Sequence, residues 1–282
     1  MREYSLGLYE KSMPHSLSLR EKLEKTRVSG FDFLELSIDE SDEKLSRLQW
    51  DSTKRWEVIS AISDSGLSIG SMCLSAHRKF PLGSIDESTR KRSMDIMVRA
   101  IDLAYCWSIR IIQLAGYDVY YEQGSERTEA HFLDNLAKCT EAASKAGMIL
   151  AFETMETAFM DTVEKAMYYV KMINSPYLQV YPDLGNLTNA SLLYDHPVVE
   201  DLEKGKGHIV AMHLKETVPG KYRDITYGTG HTNFFEGVEA ARQLGVQRFV
   251  GEFWDDGTYE KQITHANTFL RGFLDKTWKG DL

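Results

Sequence analysis

Cysteine is scarce in this chain. Cys73, Cys106 and Cys139 are all it has in 282 residues, odd in number and widely spaced. Neither a disulfide framework nor a thiolate zinc knuckle can be assembled from them, and they read as buried spectator thiols. No apolar run approaches the ~20 residues of a spanning helix, and the opening stretch from Met1 to Glu10 lacks the apolar centre of a secretory signal. The expectation is a cytoplasmic protein with no membrane partner. Basic charge is in deficit: 33 Lys and Arg against 42 Asp and Glu leave a formal net charge of -9, the wrong sign for a general binder of nucleic acid or anionic lipid. Also missing are a linker rich in Pro, Gly or Ser, a low-complexity tract, and a G-x-G-x-x-G after any strand-like run. These absences favour one domain over residues 1–282 and weaken the case for a doubly wound dinucleotide-binding sheet.

What is present is material for a large core, with 43% hydrophobic and 11% aromatic residues. Amphipathic segments close on Gly or a small polar residue, and a short apolar run follows at once. Ser29-Gly30 precedes the run Phe31 to Leu36, Ser65-Gly66 precedes Leu67 to Leu74, and Trp107-Ser108 precedes Ile109 to Ala115. Ala146-Gly147, Ser175-Pro176, Lys206-Gly207 and Leu244-Gly245 introduce four more, and Tyr4 to Leu8 makes about eight strands. Between them lie helical stripes such as Met94, Met97, Ile101 and Ala104, with Ser84 as the expected N-cap, or Phe132, Leu136, Cys139 and Ala143. Successive parallel strands need a crossover, so this alternation predicts an α/β fold, a (β/α)8 TIM barrel. Its longer loops follow strands two and three, at 39–50 and 75–84, and strand seven, at 217–234.

Four runs end in groups that do chemistry: Glu153, Asp183, His213 and Glu252. Taken singly, a strand-end Glu is usually a solvated charge, Asp183 a turn residue and His213 a core histidine. At equivalent ends of parallel strands, the four converge on the catalytic face of a barrel. Three carboxylates and an imidazole suit one divalent ion, Mn2+, Mg2+, Co2+ or Zn2+.

These residues, in Tyr181-Pro-Asp-Leu-Gly-Asn186, His213-Leu-Lys-Glu216 and Glu252-Phe-Trp254, resemble the xylose-isomerase-like barrels. Gly7-Leu-Tyr-Glu-Lys11, Gly30-Phe-Asp-Phe-Leu-Glu-Leu-Ser37, Ser71-Met-Cys-Leu-Ser-Ala-His-Arg78, Phe80-Pro-Leu-Gly-Ser84 and Gln113-Leu-Ala-Gly-Tyr-Asp-Val-Tyr-Tyr121 narrow the likeness. They are similar to the L-xylulose-5-phosphate 3-epimerases, also called L-ribulose-5-phosphate 3-epimerases or hexulose-6-phosphate isomerases. The likeness runs from about Leu6 to Trp254. It implies C3 epimerisation of a ketopentose 5-phosphate, a metal held by Glu153, Asp183, His213 and Glu252, the two Glu as proton-transfer pair, and a homodimer.

A phosphorylated ketose also needs cations or backbone N–H groups for its phosphate. The loop after strand three offers Ser75, His77 and Arg78, with Arg47 after strand two and Lys11 after strand one as further candidates. Asn186 is a candidate for a substrate hydroxyl, and Lys215 for the reacting oxygens or for orienting a ligand carboxylate. One departure stands out. After strand seven the family tends to carry acidic residues where this chain has Thr229 and Asn233. The rivals are an aldose-ketose isomerase using the same groups, a multi-metal endonuclease disfavoured by eight His and acidic balance, and a non-catalytic sugar-phosphate binder.

Overall fold

Alternation along each strand sends successive side chains to opposite destinations. On the second strand, Leu34 and Leu36 join the large core under the helices, while Phe33 packs with Tyr9, Cys73, Ala151, Tyr181 and Val250 in a separate inner cluster. A sheet buried on both faces is parallel and wrapped on itself. In the computed structural model, which describes residues 2–279, the strands are β1 Ser5–Tyr9, β2 Phe33–Ser37, β3 Ser68–Leu74, β4 Ile111–Ala115, β5 Ile149–Glu153, β6 Leu178–Val180, β7 Met212–Leu214 and β8 Arg248–Gly251. All pairings are parallel, in the order β6-β5-β4-β3-β2-β1-β8-β7. The ring closes between β6 and β7 through isolated bridges, Val180 to Ile209 and Asp183 to His213. This is the (β/α)8 barrel that the punctuation predicts.

The helices are α1 Leu19–Val28, α2 Asp42–Ser46, α3 Ser52–Ser65, α4 Glu87–Cys106, α5 Glu126–Lys145, α6 Val163–Ile173, α7 Leu184–Tyr194, α8 Val198–Lys204, α9 Phe234–Gln243 and α10 Tyr259–Lys279. Side-chain caps start many of them, among them Ser18 on α1, Asp51 on α3, Ser125 on α5 and Asp183 on α7. Helix α4 starts later than the sequence suggests. Asp86, not Ser84, caps it by accepting from Thr89 N at 2.8 Å, while the Ser84 hydroxyl is buried and accepts from Asp86 N. The segment 39–50 is not an open loop: Ser41 caps α2, and a 3-10 turn over Arg47–Gln49 follows.

Two features place the chemistry at one end. The other end is plugged by Phe33, for which Gly7 makes room, since a Cβ there would fall 2.2 Å from the ring. At the open end β6 stops at Val180, and Pro182, which has no N–H to give a ladder, hands the chain to Asp183 and α7. Gly185 lets that helix sit down on the strand beside it, because a Cβ would lie 2.7 Å from Lys215 O.

Candidate active site

Glu153 ends β5, His213 is the middle residue of β7, Glu252 directly follows β8, and Asp183 is the cap of α7. All four are buried, and each offers a ligand atom within 4.8 Å of the others. That span matches a shell of donors about 2.0–2.4 Å from one ion. Each ligand has an orienting partner. Gln113 Nε2 donates to Glu153 Oε2 at 2.6 Å, and the Asn186 backbone N–H donates to Asp183 Oδ1 at 2.6 Å. Glu35 Oε1 lies 2.5 Å from His213 Nε2, and Lys215 Nζ lies 3.0 Å from Glu252 Oε2 and 3.4 Å from Asp183 Oδ1.

The electrostatics follow from crowding charge into a buried volume. Burial raises the Asp183 carboxyl above its usual range, against the pull of Lys215. Burial lowers the His213 imidazole, but Glu35 and Glu252 outweigh it and hold its pKa well above the ordinary value. Glu252 goes the other way: burial raises it, and Lys215 and His213 bring it well below the carboxylate range. Lys215 stays protonated because Asp183 and Glu252 overcome its desolvation. The single ammonium of Lys215 does not balance Glu153, Asp183, Glu252 and the neighbouring Glu35, and a divalent cation would offset two more of these negative charges. Asp183 Oδ2 is buried with no hydrogen-bond partner among the described residues, a free acceptor on a group whose other oxygen is already used by the helix. The residues present therefore fit a divalent metal, and an oxygen-rich set with one imidazole accepts several ions.

Above them opens a cavity lined by Tyr9, Lys11, Cys73, Ser75, Arg78, Glu153, Met155, Glu156, Asn186, Lys215, Tyr222, Arg223, Glu252 and Trp254. Five of the seven residues expected to hold substrate are on this wall: Lys11, Ser75, Arg78, Asn186 and Lys215. Arg47 and His77 are not. The Arg47 guanidinium is turned inward and clasped by Glu10, each Nη atom 2.8 Å from one carboxylate oxygen. His77 is buried with Nε2 3.2 Å from Ser93 O, and desolvation pushes its pKa down to about 4, so it offers a phosphate no charge at neutral pH. Both placements have one cause: the loops after β2 and β3 coil into short helical turns that direct these side chains into the protein.

Thr229 and Asn233 do not line the cavity either. Thr229 bonds to Thr226 O at 2.8 Å on the surface, and Asn233 caps α9. The part of that loop which faces the cavity is Tyr222-Arg223, which carries no motif or periodicity in the sequence. Arg223 stacks over Trp254 at 4.9 Å and, among the described residues, has no carboxylate partner. Glu216 staples the loop down, accepting from Gly228 N at 2.9 Å and Thr232 N at 3.1 Å. Arg78 packs over Tyr120 at 4.9 Å, and its Nε is buried without a hydrogen-bond partner among the described residues.

A wrapped parallel sheet with acidic and imidazole groups gathered at its C-terminal end defines a class, and comparison with known proteins agrees. Residues 23–272 match the xylose isomerase-like TIM barrel family, and the chain belongs to it. It is 42% identical over 278 residues to the L-ribulose-5-phosphate 3-epimerase UlaE of Shigella boydii serotype 18, covering 98% of this chain and 96% of that protein. Among solved structures, a D-tagatose 3-epimerase-like protein superposes with a TM-score of 0.81 at 17% identity, covering 99% of this chain and all of the other. A xylose isomerase-like TIM barrel protein from Mycobacterium smegmatis in complex with magnesium superposes at 0.73 with 16% identity, covering 99% of each. The chain is an epimerase of the isomerase class. No helix among the described residues is long and apolar enough to cross a membrane.

Proposed function

We propose that this protein inverts C3 of a ketopentose 5-phosphate, interconverting L-xylulose 5-phosphate and L-ribulose 5-phosphate, with Glu153 and Glu252 as the proton-transfer pair. One observation carries the reading. Both glutamates border the cavity, from β5 and from β8, whereas Asp183 and His213 are wholly buried and out of contact with it. Two ligands can reach a substrate and two can only hold an ion. The 42% identity to an L-ribulose-5-phosphate 3-epimerase supports the same substrate class.

A proton beside a ketone is too weakly acidic to leave unaided. A divalent cation held by Glu153, Asp183, His213 and Glu252 supplies positive charge that stabilises an enediolate. One of the two glutamates, entering as the carboxylate, takes the C3 proton from one face. The other, entering as the neutral acid, gives its own proton to the opposite face, so the pair ends with its protonation states exchanged and the reverse reaction restores them. Asn186 Nδ2 is tied to Thr154 O at 2.7 Å while its Oδ1 is buried without a partner, an acceptor suited to a sugar hydroxyl. Among the groups lining the cavity, Ser75, Arg78 and Arg223 suit the phosphate, with Lys11, already paired to Asp39 at 2.5 Å, as a further candidate.

The test is turnover of the ketopentose 5-phosphate in deuterated water with added Mn2+. Deuterium is expected at C3 of both epimers. Label at C1 instead, with an aldose product, replaces this reading by aldose-ketose isomerisation. No exchange at any carbon leaves only a sugar-phosphate binder.

A further inference from the structure

Below the cavity floor lies a carboxylate that this proton transfer does not use. Glu35, in the middle of β2, is wholly buried among the inward-facing side chains of the barrel and does not line the cavity. A charged group in that position needs full compensation. Its two oxygens are divided. Oε2 accepts from the Ser71 hydroxyl at 2.6 Å and from the Tyr181 hydroxyl at 2.9 Å. Oε1 is kept for His213 Nε2, at 2.5 Å.

This division has a consequence at the other side of the imidazole ring. A neutral imidazole carries its one proton on either nitrogen, and here both nitrogens face carboxylates, Nε2 at 2.5 Å from Glu35 and Nδ1 at the longer distances of 3.4 Å from Glu153 Oε1 and 3.6 Å from Glu252 Oε2. With a cation taking the Nδ1 side, the one proton stays on Nε2 in the closer pairing, and the Nδ1 lone pair is presented to the space that Glu153 and Glu252 bound. The ring is also held in plane, edge to face against Tyr181 with centroids 4.9 Å apart. Tyr181 thus grips both members of the pair, by its hydroxyl on Glu35 and by its ring on His213. Glu35 cannot touch substrate, so its effect must pass through the histidine.

We infer that Glu35 is a positioning residue, which fixes His213 in the Nε2–H tautomer and strengthens Nδ1 as a donor to the divalent cation. The inference rests on the metal reading above and adds to it a carboxylate–imidazole pair beneath the ion, a device known to tune ligand basicity. Its signature is in metal binding.

The experiment measures Mn2+ affinity by calorimetry and by Mn2+ electron paramagnetic resonance for the full chain, for Glu35→Gln and for Tyr181→Phe. Glu35→Gln preserves shape and hydrogen bonding to Nε2 but removes the charge. It is expected to weaken Mn2+ binding about 10- to 100-fold, with turnover recovered at saturating Mn2+. Tyr181→Phe leaves Glu35 ionised and bonded, and is expected to weaken binding less. Wild-type Mn2+ affinity in Glu35→Gln overturns the inference; failure of the wild-type chain itself to bind Mn2+, Co2+ or Zn2+ overturns the metal reading together with it. Should Glu35→Gln not fold, 15N spectra of the Zn2+-loaded wild type, with His213 assigned by loss of its signal in His213→Gln, decide the matter. A protonated Nε2 is expected, and a protonated Nδ1 refutes the proposal.

Discussion

Arg47 holds Glu10 in a two-pronged clasp, Nη1 to Oε2 and Nη2 to Oε1, both at 2.8 Å. Lys22 adds a third contact at 3.0 Å, Lys44 a fourth, and the Ser37 backbone N–H a fifth at 2.9 Å. One buried carboxylate therefore organises three buried cations that tie the end of β1 to α1, α2 and the turn after it. The Arg47 charge is thus matched inside the protein, away from the cavity.

Arg47→Ala is accordingly expected to cost about 1.5–3 kcal/mol of stability, the range for a hydrogen bond to a charged group, and to leave KM for the sugar phosphate unchanged. Glu10→Gln, which strands three buried cations, is expected to cost more, about 3–5 kcal/mol. Urea unfolding checks both. The pH dependence has a definite sign. Burial raises Glu10, but Arg47, Lys22 and Lys44 prevail and hold it well below the carboxylate range. A depressed folded-state value means the contribution is complete above the unfolded value of about 4.3 and is lost as pH falls from there through the folded value. The wild type should lose stability on that acid limb more steeply than Glu10→Gln; parallel limbs contradict the assignment.

Glu153→Gln and Glu252→Gln each remove one proton carrier while keeping the shape of the site. Turnover is expected to fall at least about 100-fold in either, with no deuterium entering C3. Because Gln ligates weakly, the assay must be run across Mn2+ concentrations. Near-normal epimerisation by either variant at any of them defeats the two-carboxylate scheme.

Metal binding and proton binding should compete. In the metal-free chain His213 and Asp183 both hold protons more tightly than in water. A cation must displace them, so affinity rises with pH through neutrality and about one to two protons leave per ion bound. Calorimetry at pH 7 in buffers of different ionisation enthalpy counts them. A count of zero, with affinity flat from pH 6 to 8, contradicts the raised values.

Arg78→Ala and Arg223→Ala are expected to raise KM for the phosphorylated ketose about tenfold or more, the effect of losing one charge-assisted contact. Turnover of the unphosphorylated ketose should be unaffected. If both sugars suffer alike, these arginines shape the cavity without reading the phosphate.

The cluster of Glu153, Asp183, His213 and Glu252 was legible because a polar group closing an apolar run is informative, although only Glu153 ends its strand: His213 lies in the middle of β7, Glu252 just past β8, and Asp183 beyond β6 as the cap of α7. Glu35 announced itself less openly. It is a charge inside the run Phe33–Ser37, two residues from inward-facing Phe33, and period two alone places it within the barrel. What was not legible is direction in the loops. Arg47 and His77 follow strands just as Arg78 does, but Ser41 starts a helix that brings Lys44 and Arg47 to one side, facing Glu10, and the turn at 75–78 sends His77 inward and leaves Arg78 beside the cavity. Arg223 sits in a stretch with no periodicity at all, and only the folded loop, pinned by Glu216, brings it over Trp254.

The seam of the barrel would give a bound ion a second office. Between β6 and β7 there is no ladder, only the bridges Val180 to Ile209 and Asp183 to His213, helped by His213 N donating to Pro182 O at 2.9 Å. Asp183 and His213 stand on opposite sides of that joint, with Glu153 and Glu252 on the staves flanking it. A cation shared by all four would be a rivet through the loosest joint in the hoop, since anything that binds only the closed form stabilises it by mass action. Chelation should thus be felt first as fraying along 180–183 and 209–213, and only afterwards as lost chemistry.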